Sequence, residues 1–129
     1  MYKEIIISVI IVITILCVDI ISSNYTKQSV EEIETCFENF RNELEKDVVD
    51  ENKIKFHMEE VKEKWHSRYE ILAFYVEHDE LEKVETEVSA LNANVDTKKY
   101  EEAIEKLERS EFILKHISDK EDFNFKNIF

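Results

Sequence analysis

At 129 residues the chain has room for one small domain, and not for two, once its apolar amino-terminal stretch is set aside. Its net charge of −13 repels phosphate backbones and anionic lipid headgroups, which argues against a nucleic-acid partner. Glycine and proline are both absent. A sheet protein needs them for hairpins and strand edges, so their absence argues against a β-rich fold. Helices joined by Asn/Asp corners remain, and the fold class expected is all-α.

Residues 5–21 read IIISVIIVITILCVDII, an apolar run broken by Ser8, Thr14 and Asp19. As a helix, 17 residues cover about 25 Å, slightly short of the ~30 Å hydrocarbon core of a bilayer. Tyr2 and Tyr25 suit the two interfaces. The run is apolar on every face, and so small a domain cannot enclose such a helix. Residues 1–25 are therefore expected to form a transmembrane anchor, inserted through residues 5–21, and residues 26–129 an acidic helical domain. Removing Lys3, Glu4 and Asp19 leaves that domain with 16 positive and 28 negative side chains. A cleaved signal peptide is the alternative reading, which would release a secreted binding protein. Its site at Ile21-Ser22-Ser23 is poor.

Lys3 and the α-amine precede the run, and Lys27 alone follows closely. Positive charge favours the cytoplasmic side, so the amino terminus is expected inside and the domain outside the cell membrane. Asp19 either reaches the outer headgroups or contacts another membrane helix. Cys17 and Cys36 lie about 28 Å apart on a continuous helix, too far for a disulfide.

Four apolar seams follow, each in steps of three and four. Ser29 and Glu32 read as a capping box that opens the first, with Val30, Ile33, Phe37, Phe40, Leu44 and Val48 along one face. Asp50 or Asn52 caps the second, which carries Ile54, Met58, Val61, Trp65, Leu72 and Val76. Residues 71–76 are apolar on more than one side, which predicts either denser packing there or a partner covering one side. Asp79 is the expected cap of the third, with Leu81, Val84, Val88, Leu91 and Val95. Asp96 or Thr97 caps the fourth, with Tyr100, Ala103, Leu107, Ser110, Leu114 and Ile117. Phe123, Phe125, Ile128 and Phe129 are expected to dock on the bundle. The architecture predicted is an amino-terminal transmembrane helix followed by an antiparallel bundle of about four helices. The same seams are also met by a dimer.

Chemistry is thinly signalled. Glu63 and His66 match the Glu-x-x-His spacing of carboxylate-bridged metal sites, which need two such motifs. One is present. His78 and Glu82 share a helix face, and His78 and His116 suit the carboxyl ends of helices. His57 completes the histidines. A metal- or ligand-binding domain using Glu63, His66 and His78 is the alternative from another class. No catalytic, cofactor or metal residue is assigned, and the chain is not expected to be an enzyme.

Trp65, the run Val76-Glu77-His78-Asp79-Glu80, Leu81 to Leu91, His116-Ile117 and the closing Asn127-Ile128-Phe129 carry a resemblance. The chain resembles a family of short, single-span bacterial membrane proteins known as a domain of unknown function, chiefly from Gram-positive spore formers. The similarity runs from the anchor to the end. It implies an amino-terminal anchor, a helical domain and a partner among membrane proteins. It implies no catalytic residue. The function expected is that of an interaction or accessory subunit.

Overall fold

The computed structural model describes residues 1–128, and the side chains of residues 1–122. It holds four helices: α1 (Tyr2–Leu44), α2 (Glu51–Leu72), α3 (His78–Asp96) and α4 (Tyr100–Ile128). Each helix packs against two neighbours in a ring, α1 on α2, α2 on α3, α3 on α4 and α4 back on α1. The cross-helix pairs run in opposite directions. Glu32 meets Arg68 while Phe40 meets His57, and Lys27 meets Asp122 while Arg41 meets Glu111. The result is an up-down-up-down bundle with short links, as the four seams require.

The expected seams form the core. Ile33, Phe37 and Phe40 of α1, Ile54 and Val61 of α2, Leu81, Val84 and Leu91 of α3, and Leu107 and Leu114 of α4 are fully buried. Trp65 is buried with its indole N–H donating to Glu85 Oε1 at 2.9 Å, so its polar edge is satisfied.

Helix α1 departs from expectation at its start. The Ser29–Glu32 capping box does not open a helix, because the chain is already helical from Tyr2. Ser29 is buried, and among the described residues its hydroxyl has no hydrogen-bond partner. The apolar run and the first bundle helix are one helix of 43 residues, about 65 Å long. Along residues 5–21 its Ile and Val side chains are exposed; from Ser23 onward one face is buried. Val48 does not extend the seam. It lies beyond the end of α1 and is 85% exposed.

The links explain the remaining helix ends. Asp50 caps α2, accepting from the backbone N–H of Asn52 at 3.0 Å and of Lys53 at 3.4 Å. Asp79 does not cap α3, which begins one residue before it with Glu77 in the cap position and no side-chain bond. Nor do Asp96 and Thr97 cap α4. Asp96 still belongs to α3, and the Thr97 hydroxyl donates back to the carbonyls of Ala93 and Asn94. The chain then reverses through Lys98 at φ 58°, a left-handed position that costs a non-glycine residue roughly 1–2 kcal/mol. Lys98 N–H bonds the Val95 carbonyl and Lys99 N–H the Asn94 carbonyl, which is the double closure of a Schellman ending. A chain without glycine places a lysine there, and its ammonium meets Glu51 of α2 at 2.7 Å. The expected docking of Phe123, Phe125, Ile128 and Phe129 falls on side chains outside the described residues.

Candidate functional site

Two places on the bundle combine shape with charge. The larger is an open groove of about 780 Å³ between α1 and α4. Glu31, Glu34 and Glu38 line it from α1, and Glu108 and Glu111 from α4. These positions lie beside the buried seams, so the same periodicity that builds the core sets a row of carboxylates along each wall. Lys27, Arg41 and Lys115 offset part of the charge, and Arg41 bonds Glu111 at 2.9 Å.

Burial pushes the Glu34 carboxyl above its usual range, and the neighbouring charges of Glu111, Glu31 and Asp119 add to this. Lys115 opposes the shift. Phe112 stands on the rim, 75% exposed, and also borders a second depression with Glu87, Glu105, Arg109 and Ile113. An apolar ring between acidic hollows suits a partner that offers an apolar contact ringed by cationic side chains.

The second place is the end of the bundle where α1 emerges from its apolar half. Ser23 and Thr26 are buried here. The Tyr75 hydroxyl lies 2.7 Å from Thr26 Oγ1 and donates to the Ser22 carbonyl at 3.1 Å. Thr26 in turn donates to the same Ser22 carbonyl at 2.9 Å. Nearly two turns further on, Arg68 pairs with Glu32 and stacks over the Tyr25 ring at 5.3 Å. The hydrogen bond from Arg68 holds the Glu32 carboxyl below its usual range. Burial pushes Glu121 upward, and the charge of Asp19 adds to the shift. Asp19 therefore lies close to Glu121 of α4.

The histidines are distributed over three helices. His57 is half-buried, stacked on Phe40 at 6.1 Å and edge-on to Phe56 at 5.6 Å. His66 is exposed on α2, as is Glu63. His78 opens α3, exposed, 3.6 Å from Glu82, and does not cap α2. His116 is exposed on α4. Among the described residues, no three His, Cys, Asp or Glu side chains come together as a metal-holding group. Cys17 and Cys36 are both free thiols. Burial raises the Cys36 thiol above its ordinary value.

Sequence reasoning missed the groove, because its residues lie off the seams. It also missed Ser23 and Thr26 as core positions. The signal was there: positions 23, 26, 30, 33, 37, 40 and 44 form one unbroken alternation of three and four.

The molecule is thus a four-helix bundle whose first helix carries a bare apolar extension. The chain matches the model of the domain of unknown function DUF4363 over residues 20–128, and it belongs to that family. No curated protein and no solved structure matches the chain.

Proposed function

We propose that the chain is a bacterial, single-pass protein of the cell membrane that acts by binding another membrane protein, not by catalysis. Its amino terminus lies in the cytoplasm and its bundle outside. The observation that carries this reading is the division of α1. One half presents bare isoleucine and valine, and the other half is a wall of the core, with no break between them. A single apolar helix near the amino terminus is weak evidence alone, since a signal sequence has the same composition. Continuity supports retention. A cut after Ile21 would remove the turn that precedes Ser22, whose carbonyl anchors Tyr75. The groove and Phe112 supply the contact surface, and Lys3 ahead of the apolar run supports the orientation.

Crosslinking in native membranes tests the proposal. The expected result is one dominant membrane-protein partner, lost when Phe112 is changed to Glu. No partner above background would overturn the reading. A mature amino terminus near Ser22, found by mass spectrometry, would replace the anchor with a secreted form.

A further inference from the structure

The link between α2 and α3, residues 73–77, sits at the level where α1 leaves its apolar run. Tyr75 fixes that level by donating to the carbonyl of Ser22, the residue directly after Ile21, with its hydroxyl 2.7 Å from that of Thr26. Four residues of helix rise about 6 Å. The headgroup layer on each side of the hydrocarbon core is about 5–7 Å deep. With residues 5–21 in a bilayer, this link lies within that layer.

Beside Tyr75 stands Phe74, 88% exposed, and three residues earlier Ile71, 47% exposed. Their exposure is imposed by the link. Phe74 N–H bonds the Ile71 carbonyl at 3.1 Å, and Val76 N–H bonds the Leu72 carbonyl at 2.8 Å. Leu72 and Val76 are buried on either side. The backbone therefore holds Phe74 outward as rigidly as it holds its neighbours inward. Negative charge is partly offset here, although Glu121 and Asp79 lie at the same end of the bundle. Glu77 is paired with Lys120 at 2.8 Å, and Asp122 with Lys27 at 2.8 Å. Aromatic rings are favoured at this depth of a membrane.

We infer that the α2–α3 link is a second membrane contact, in which Phe74, flanked by Ile71, inserts into the headgroup layer of the leaflet from which α1 emerges. The occupant of this apolar patch is the lipid surface itself. The inference rests on the anchor reading above. The two contacts are separate in sequence but share one height, so the bundle is seated against the bilayer rather than held above it.

Tryptophan quenching in the full-length protein tests this, in phosphatidylcholine vesicles whose acyl chains are brominated near the carbonyl or deep in the chain. Trp65 is buried and supplies a constant background. Phe74→Trp should add blue-shifted emission, most of which is lost with the shallow bromines. Ile13→Trp should lose its added emission to the deep bromines. Val48→Trp, at the opposite end of the bundle, should stay red-shifted and unquenched. If Phe74→Trp behaves like Val48→Trp while Ile13→Trp is quenched, the seating is wrong and the anchor stands. A blue shift at Phe74→Trp without quenching means protein covers the patch, which also overturns the inference. An unquenched Ile13→Trp removes the anchor and the seating together.

Discussion

The two halves of α1 share one backbone and almost nothing else. Residues 5–21 have no apolar seam, because nearly every position is apolar, and their isoleucines and valines stay uncovered. From Ser23 to Leu44 the apolar positions shrink to a stripe, and most of the rest is polar or charged. Yet both halves are helical without interruption. Helix formation in this chain therefore does not depend on whether a segment is apolar all round or along one stripe. Uniform apolarity asks for lipid on all sides; a stripe asks for other helices. The composition of each half selects its surroundings, and the shared hydrogen-bond ladder keeps the two in register.

The sharpest way to break that contrast is to change one side chain in each half. Phe37→Ala, in the fully buried stripe, should cost about 3–5 kcal/mol of bundle stability in denaturant titration. Ile13→Arg should leave that titration unchanged but oppose membrane insertion by about 2.5–3.5 kcal/mol, read as a shift to the soluble fraction. If Ile13→Arg melted the bundle, the halves would not be independent.

A smaller effect probes the junction. Tyr75→Phe removes the donor to the Ser22 carbonyl while Thr26 keeps its own bond to that carbonyl. The expected loss is about 1 kcal/mol in the same titration. Faster amide exchange should accompany it in the link between α2 and α3.

The smallest effect concerns the groove wall. Burial raises the Glu34 carboxyl, so the folded chain keeps a proton that the unfolded chain sheds just above the ordinary carboxylate value. Stability therefore falls as pH rises through that window, and the deficit persists at neutral pH. Glu34→Gln should unfold at a higher denaturant concentration than the parent at neutral pH, with the gap closing in acid below the ordinary value. A gap that widened in acid would reverse the sign and place Glu34 in a stabilising ion pair.

Much of the bundle was legible because a seam is a local property. Val30 through Leu44, Ile54 through Trp65 and Leu81 through Val95 each announce a buried face by spacing alone. The errors come from rules that assume their surroundings. Ser29 and Glu32 satisfy a capping box, but a cap has meaning where the preceding chain is not helical, and here an apolar helix precedes it. Thr97 has the chemistry of a helix start but turns back to close α3, because Lys98 takes up the left-handed reversal that glycine would otherwise supply. Ser23 and Thr26 were read by polarity when their spacing placed them in the core. Residues 71–76 were expected either to pack densely or to face a partner. With Phe74 and Ile71 left outside, dense packing on every side is ruled out. The groove was illegible for a different reason: a row of glutamates on a helix reads the same whether the neighbouring helix leaves a furrow or a ridge.

The absence of glycine and proline from α1 has a mechanical consequence. On the anchor reading proposed above, and without a swivel between residues 21 and 23, whatever angle the apolar rod takes in a bilayer is handed on to everything above it. Leu44 lies about 35 Å beyond Ile21 along the axis, so a lean of about 20° carries the distal tip sideways by about 12 Å. The lean of the span in a bilayer would thereby become a coordinate of where the outer end of the molecule points.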